Sequence, residues 1–183
     1  MLEPKRHLFL DRDGTINRRI VDGYVMSKEE FEFLPGALEA IFRCKDLFER
    51  IFIVTNQQGI GKEIMTHEEL NEVHQFMIDE INNANGHIDQ IYYCPTLAIH
   101  EPLCRKPQPG MAMQAQADFP EVDFLDSIMI GDMPSDIEFG NRLGMETVLL
   151  SEKGGIIGVK PDAVYNDLLS FVVAYERRLS TSI

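Results

Sequence analysis

The sequence predicts an α/β fold with a mostly parallel sheet and helices on both faces. Two observations carry this. Short apolar runs rich in β-branched residues alternate with longer segments whose apolar residues recur at helical spacing. The composition, 44% hydrophobic and 26% charged, is that of an ordinary globular chain, so a core exists to flank such a sheet. A length of 183 residues suits one domain, residues 1–183.

The elements follow in order. His7 to Leu10 reads as a buried strand ending in Asp11-Arg12-Asp13-Gly14-Thr15. Pro35-Gly36 opens a helix through about Arg50, with Leu38, Ile41, Phe42 and Phe48 on one face. Ile51 to Thr55 is the second strand. Thr66 and Glu69 fit a capping box, and Leu70, Val73, Met77 and Ile81 form the stripe of the helix that follows. Gln90 to Cys94 is the third strand, and Pro109 to Phe119 a helix. Ser127 to Ile130 is the fourth strand, followed by a helix from Ser135 to Leu143 that Gly144 closes. Glu146 to Leu150 is the fifth strand, and a last helix runs from about Asn166 to Leu179.

Charge and cysteine content narrow the function. Thirty acids against 17 Lys and Arg leave a net charge of −13, which repels nucleic-acid backbones. No apolar stretch is long enough to cross a bilayer, and MLEPKRH lacks the apolar middle of a signal peptide. The expected location is cytoplasmic, with no membrane or nucleic-acid partner. Three cysteines argue against a disulfide framework. Cys94 and Cys104 read as unpaired thiols, and Cys44 as core.

The polar residues gather where strands end. The first strand leads to Asp11 and Asp13, the second to Thr55, Asn56, Gln57 and Gln58, the loop after the third to Arg105 and Lys106, and the fourth to Asp132, with Asp136 beyond it. Parallel sheets bind ligands outside these strand ends. Clustered carboxylates suit a hard cation such as Mg²⁺. A carboxylate can also attack phosphorus, while a hydroxyl and an ammonium receive the charge on phosphoryl oxygens. Taken alone, Asp11 and Asp13 would read as a turn and a helix cap.

In order along the chain, DRDGT, VTN, the Lys of RKP and GDMPSD resemble the haloacid dehalogenase (HAD) superfamily of phosphohydrolases. The resemblance covers roughly Leu8 to Leu150. It implies a Rossmann-like sheet with the first strand central and the fourth beside it. It also implies Asp11 as nucleophile and Asp13 as general acid/base, with Thr55 and Lys106 as phosphate binders. Mg²⁺ would be held by Asp11, the Asp13 carbonyl and Asp132. Asp136 would orient Lys106 or a metal-bound water, or simply cap its helix. Neither gap between the early motifs holds an inserted cap domain.

DRDGTIN, DGYV, TNQQGIGK, YYCP and CRKPQPGM are further similar to one capless branch, the heptose bisphosphate and histidinol-phosphate phosphatases. This implies a small phosphorylated sugar or metabolite as substrate, foremost D-glycero-D-manno-heptose 1,7-bisphosphate at its 7-phosphate, with histidinol phosphate second. Asp22, Gly23, Tyr24, Asn56, Gln57, Gln58 and Arg105 would line the substrate site. That branch usually binds structural Zn²⁺ in the loop before the Arg-Lys pair. Here Cys94 and Cys104 match the outer ligands and His100 is a candidate third. Thr96 and Pro102 stand where ligands are expected, so the loop is degenerate. The chain is expected as a monomer or weak homodimer. A receiver-like phospho-Asp signalling module is the contrasting reading, but the third strand ends in Cys94-Pro95 and offers no acceptor Asp.

Overall fold

The computed structural model describes residues 5–152, 154 and 158–181. Strands β1 (His7–Leu10), β2 (Arg50–Asn56), β3 (Gln90–Cys94), β4 (Ser127–Gly131), β5 (Glu146–Leu150) and β6 (Ala163–Tyr165) form one sheet in the order β3-β2-β1-β4-β5-β6. All of these pairings are parallel. β1 is central and β4 lies beside it, as expected. Helices α1 (Ala37–Cys44), α2 (His67–Asn83), α3 (Gly110–Asp118), α4 (Pro134–Leu143) and α5 (Leu168–Ser180) supply the crossovers and the last segment.

The strands are apolar on both sides because both faces are covered. Leu8, Leu10, Ile51, Ile53, Ile128 and Ile130 face α1, α2 and α5 through Ile41, Val73, Met77, Ile81, Phe171 and Val172. Phe9, Phe52, Val54 and Met129 face the other way, onto Met111, Ala112 and Ala115 of α3 and Phe139 of α4. α2 starts where its capping box predicts: Thr66 Oγ1 accepts from the Glu69 amide at 3.1 Å, and Glu69 Oε2 accepts from the Thr66 amide at 2.7 Å. Between β1 and α1 there is only loop with a 3₁₀ turn at Lys28–Glu30, and between β2 and β3 only α2 with its loops, so no cap domain is inserted. Among the described residues no helix is long and apolar enough to cross a membrane.

Three expectations change. α1 ends at Cys44 and does not reach Arg50. Phe48 is buried but sits in the turn beyond it, while Phe42 is exposed, with the Lys45 ammonium 4.4 Å from its ring centre. β6 is an additional strand. α5 begins at Leu168, because Asp167 accepts from the Ser170 amide at 2.7 Å and fixes the start.

Register sets the site. Leu10 pairs with both Ile53 and Ile130. Asp11 therefore leaves the sheet level with Val54 and Gly131, and its amide donates to the Ile130 carbonyl at 2.9 Å.

Candidate active site

At this end of the sheet a cleft of about 260 Å³ is lined by Asp11, Asp13, Thr55, Asn56, Arg105 and Lys106, together with the Asp22-Gly23-Tyr24 turn and Asp136. Its floor is an ion triplet. Lys106, 3% exposed, donates from Nζ to Asp11 Oδ1 at 2.7 Å and lies 2.7 Å from Asp136 Oδ1. Burial pulls this ammonium's pKa down, but the two carboxylates more than restore it, and the net shift is upward. Asp11 is raised to about 6, first by burial and then by Asp136, with Lys106 opposing. Asp132 is raised to about 7 by burial and by Asp11, with Arg19 opposing.

Two glycines let these groups meet. Gly14 has φ +93, and a Cβ there would fall 2.1 Å from Asp132 Oδ2. A Cβ on Gly131 would fall 2.2 Å from Asp136 Oδ2. Asp136 both faces Lys106 and accepts from the Met133 amide at 3.0 Å, so one carboxylate meets the lysine and the start of α4 together.

Asp13 is held from several sides. Arg12 donates to it from Nη2 at 3.0 Å, Asn17 from Nδ2 at 2.9 Å and Gln57 from Nε2 at 2.8 Å. Burial alone would raise its pKa, but the Arg12 charge and these hydrogen bonds outweigh it, so Asp13 lies below the ordinary value. Thr55 Oγ1 accepts from the same Gln57 amide at 2.8 Å. Asn56 ties down the Lys106 loop: its Oδ1 accepts from the Lys106 amide at 3.0 Å, and its Nδ2 donates to the Lys106 carbonyl at 3.2 Å.

Several sequence-predicted residues stand differently from expectation. Gln57 is buried and braces Asp13 and Thr55; it is not among the residues lining the cleft. Gln58 also lies outside that lining, donating to the Tyr24 hydroxyl at 2.9 Å. Arg105 is in the lining, half-buried, and its Nη1 has no hydrogen-bond partner; burial lowers its pKa, with Tyr24 opposing. Cys94 and Cys104 are joined as a disulfide. A disulfide sulfur is not a thiolate donor, so the set of Cys94, His100 and Cys104 does not form a zinc site, and the reading of both cysteines as separate thiols also gives way. His100 is exposed.

Among the described residues, the side chains grouped closely enough to hold a metal are Asp11, Asp132 and Asp136, with oxygens within 4.8 Å of one another. An all-oxygen set of crowded carboxylates fits a hard divalent cation.

Arg19 was not anticipated. Its Nη2 donates to Asp132 Oδ1 at 2.7 Å and to the Asp13 carbonyl at 2.8 Å. The only sequence signal was a pair of arginines shortly after the acids of an otherwise acidic chain. His74, on the face of α2 that carries its apolar stripe, is buried against Arg12.

Comparison with known proteins agrees with this geometry. The "HAD-hyrolase-like" family model matches residues 103–170. A D-glycero-alpha-D-manno-heptose-1,7-bisphosphate 7-phosphatase of Burkholderia mallei is 40% identical over 152 residues, covering 79% of each chain. A D-glycero-D-manno-heptose-1,7-bisphosphate 7-phosphatase of Chlorobaculum tepidum is 37% identical over 194 residues, covering 95% of this chain and 96% of that one. The crystal structure of D,D-heptose 1,7-bisphosphate phosphatase from B. bronchiseptica, complexed with magnesium and phosphate, superposes with a TM-score of 0.85. It is 27% identical, and the match covers 94% of this chain and 99% of that one. A capless parallel sheet, acids and a lysine at its strand ends, and relatives this similar along most of the chain lead to one conclusion: the chain belongs to the HAD-like phosphatase family that includes the heptose bisphosphate phosphatases.

Proposed function

We propose that the protein hydrolyses D-glycero-D-manno-heptose 1,7-bisphosphate at its 7-phosphate, with Asp11 as nucleophile and Mg²⁺ as cofactor. The observation that carries the bisphosphate reading is Arg105. Its guanidinium lines the same cleft as Lys106, and its buried Nη1 has no partner. A buried donor without an acceptor is costly, and a second phosphate in the cleft would satisfy Nη1 of this half-buried guanidinium.

The reaction follows from the side chains. An Asp11 oxygen attacks phosphorus in line, the phosphorus–oxygen ester bond breaks, and an aspartyl-phosphate forms. Lys106 and Thr55 receive charge on the phosphoryl oxygens. Asp13 gives a proton to the leaving sugar oxygen and then takes one from the attacking water. Its resting form is the carboxylate, which suits the second step. The incoming phosphate's negative charge raises its affinity for a proton, which the first step requires. Asp11, Asp132 and the Asp13 carbonyl are the oxygens that would hold Mg²⁺. The ion would supply charge neutralisation for the phosphoryl group. Arg19 donates to two of these same oxygens and would compete with the ion for them.

The test compares kcat/KM, with Mg²⁺, for heptose 1,7-bisphosphate, histidinol phosphate and p-nitrophenyl phosphate. The expected preference for the heptose is about a hundredfold, which is roughly 2.7 kcal/mol at the transition state. Excess EDTA is expected to stop turnover. Equal rates on all three substrates would discard the substrate, and full activity in EDTA would discard the metal.

A further inference from the structure

α2 carries a polar residue where its apolar stripe should continue. Leu70, Val73, Met77 and Ile81 are buried in the stripe, and His74 is buried on the same face. Its ring lies edge-on to Tyr93, with centres 5.8 Å apart, and Tyr93 in turn meets His67 Nδ1 through its hydroxyl at 2.9 Å. What the ring faces inward is Arg12, whose side chain is fully buried. Arg12 Nη1 is 3.1 Å from His74 Nε2. The opposite side of the same guanidinium grips Asp13, with Nε 3.2 Å from Oδ2 and Nη2 3.0 Å from Oδ1.

A guanidinium has donors and no acceptor. For Arg12 to make the contact at Nη1, His74 Nε2 must be the bare, accepting nitrogen of a neutral ring. The surroundings favour that form: burial, and then the Arg12 charge, lower the His74 pKa to about 3, with Asp13 opposing. A planar, rigid fork fixed at one end is fixed at the other. Leucine or valine at this point of the stripe would pack equally well but would leave the Nη1 donor buried and unpaired, at a cost.

We infer that His74 is a positioning residue for catalysis: by accepting from Arg12 it locks the guanidinium that sets the position of the Asp13 carboxylate. The inference rests on the reading of Asp13 as the proton donor and acceptor. His74 reaches no substrate itself. Its route to Asp13 is Arg12, across a chain separation that no local motif records.

The experiment uses a series of aryl phosphates with leaving groups from p-nitrophenol to phenol, so it does not depend on the natural substrate. A good leaving group departs without a proton, and a poor one needs it. His74→Leu is expected to lower kcat/KM for phenyl phosphate by about tenfold to a hundredfold, the scale of a misplaced catalytic group. It should change p-nitrophenyl phosphate much less. His74→Gln, whose Oε1 can accept from Arg12, should restore most of the phenyl phosphate rate. Equal losses on both substrates, losses in the Gln variant as large as in the Leu variant, or no loss at all would overturn the inference.

Asp13→Asn in the same series separates the two levels of the argument. If it leaves the leaving-group dependence unchanged, the reading of Asp13 fails and the inference falls with it. If it steepens the dependence while His74→Leu does not, only the role of His74 fails. A measurement on the unaltered protein stands even if the Leu variant does not fold. Its ¹⁵N ring shifts at neutral pH should show His74 with Nδ1 protonated and Nε2 bare, and a protonated Nε2 would overturn the inference.

Discussion

Asp11→Asn is expected to abolish turnover, by a factor of about 10⁴ or more, because an amide oxygen is a far poorer nucleophile than a carboxylate and nothing else in the cleft replaces it. The fold should survive. The substitution is isosteric, and the amide oxygen still accepts from Lys106, which keeps Asp136 as its counter-charge. The sign of the stability change follows from the pKa. Asp11 is raised to about 6 from an ordinary 3.8, so the stability it contributes is present below the ordinary value and lost as pH rises through about 6. At neutral pH the native state therefore bears the cost of ionising it, and the variant does not. In metal-free protein at pH 7, Asp11→Asn should melt at or above the wild-type temperature. A kcat within tenfold of wild type would remove Asp11 from the mechanism, and a lower melting temperature would contradict the electrostatic account of the floor.

Lys106→Met is expected to damage both stability and activity. The wild-type ammonium sits 2.7 Å from one oxygen of each of two buried carboxylates. Methionine fills comparable space but leaves Asp11 and Asp136 facing one another without the ammonium between them, with Arg19 held off at 3.9 Å from Asp11 Oδ2. Breaking a buried ion pair by removing one partner costs about 3–5 kcal/mol. The phosphoryl oxygens would also lose a charged donor, worth about a hundredfold to a thousandfold in kcat. Urea denaturation and steady-state kinetics read the two effects separately. A stable variant with normal kcat would mean that the triplet is neither a structural nor a catalytic unit.

The parts that could be read in the sequence are those whose signal is local. β3 and β5 run over the residues that their β-branched and aromatic content marks, and α2 starts at its capping box. The acids, Thr55 and Lys106 converge because each lies at or beyond the C-terminal end of a parallel strand, and parallel register aligns those ends. β6 leaves no sequence signal because three residues, Ala163 to Tyr165, at a sheet edge carry no full period. Periodicity overextends α1 because Phe48 continues the helical spacing, although the chain has already turned after Cys44. Contacts between distant segments left no pattern at all. Arg19 reaches Asp132 across 113 positions, and Arg12 reaches His74 across 62. The joining of Cys94 to Cys104 was missed for a related reason. A count of three cysteines speaks against a framework of bridges, but it does not speak against one bridge between the end of β3 and the loop that carries Arg105 and Lys106.

The central claim is that the phosphoryl group passes through Asp11, and stereochemistry at phosphorus tests it most directly. A substrate whose transferred phosphoryl group is made chiral with oxygen isotopes and sulfur is hydrolysed, and the configuration of the product is read. Each in-line displacement inverts phosphorus. Transfer to Asp11 followed by attack of water is two displacements, so the account predicts net retention. Net inversion would mean that water attacks the substrate directly, and Asp11 would not be the nucleophile.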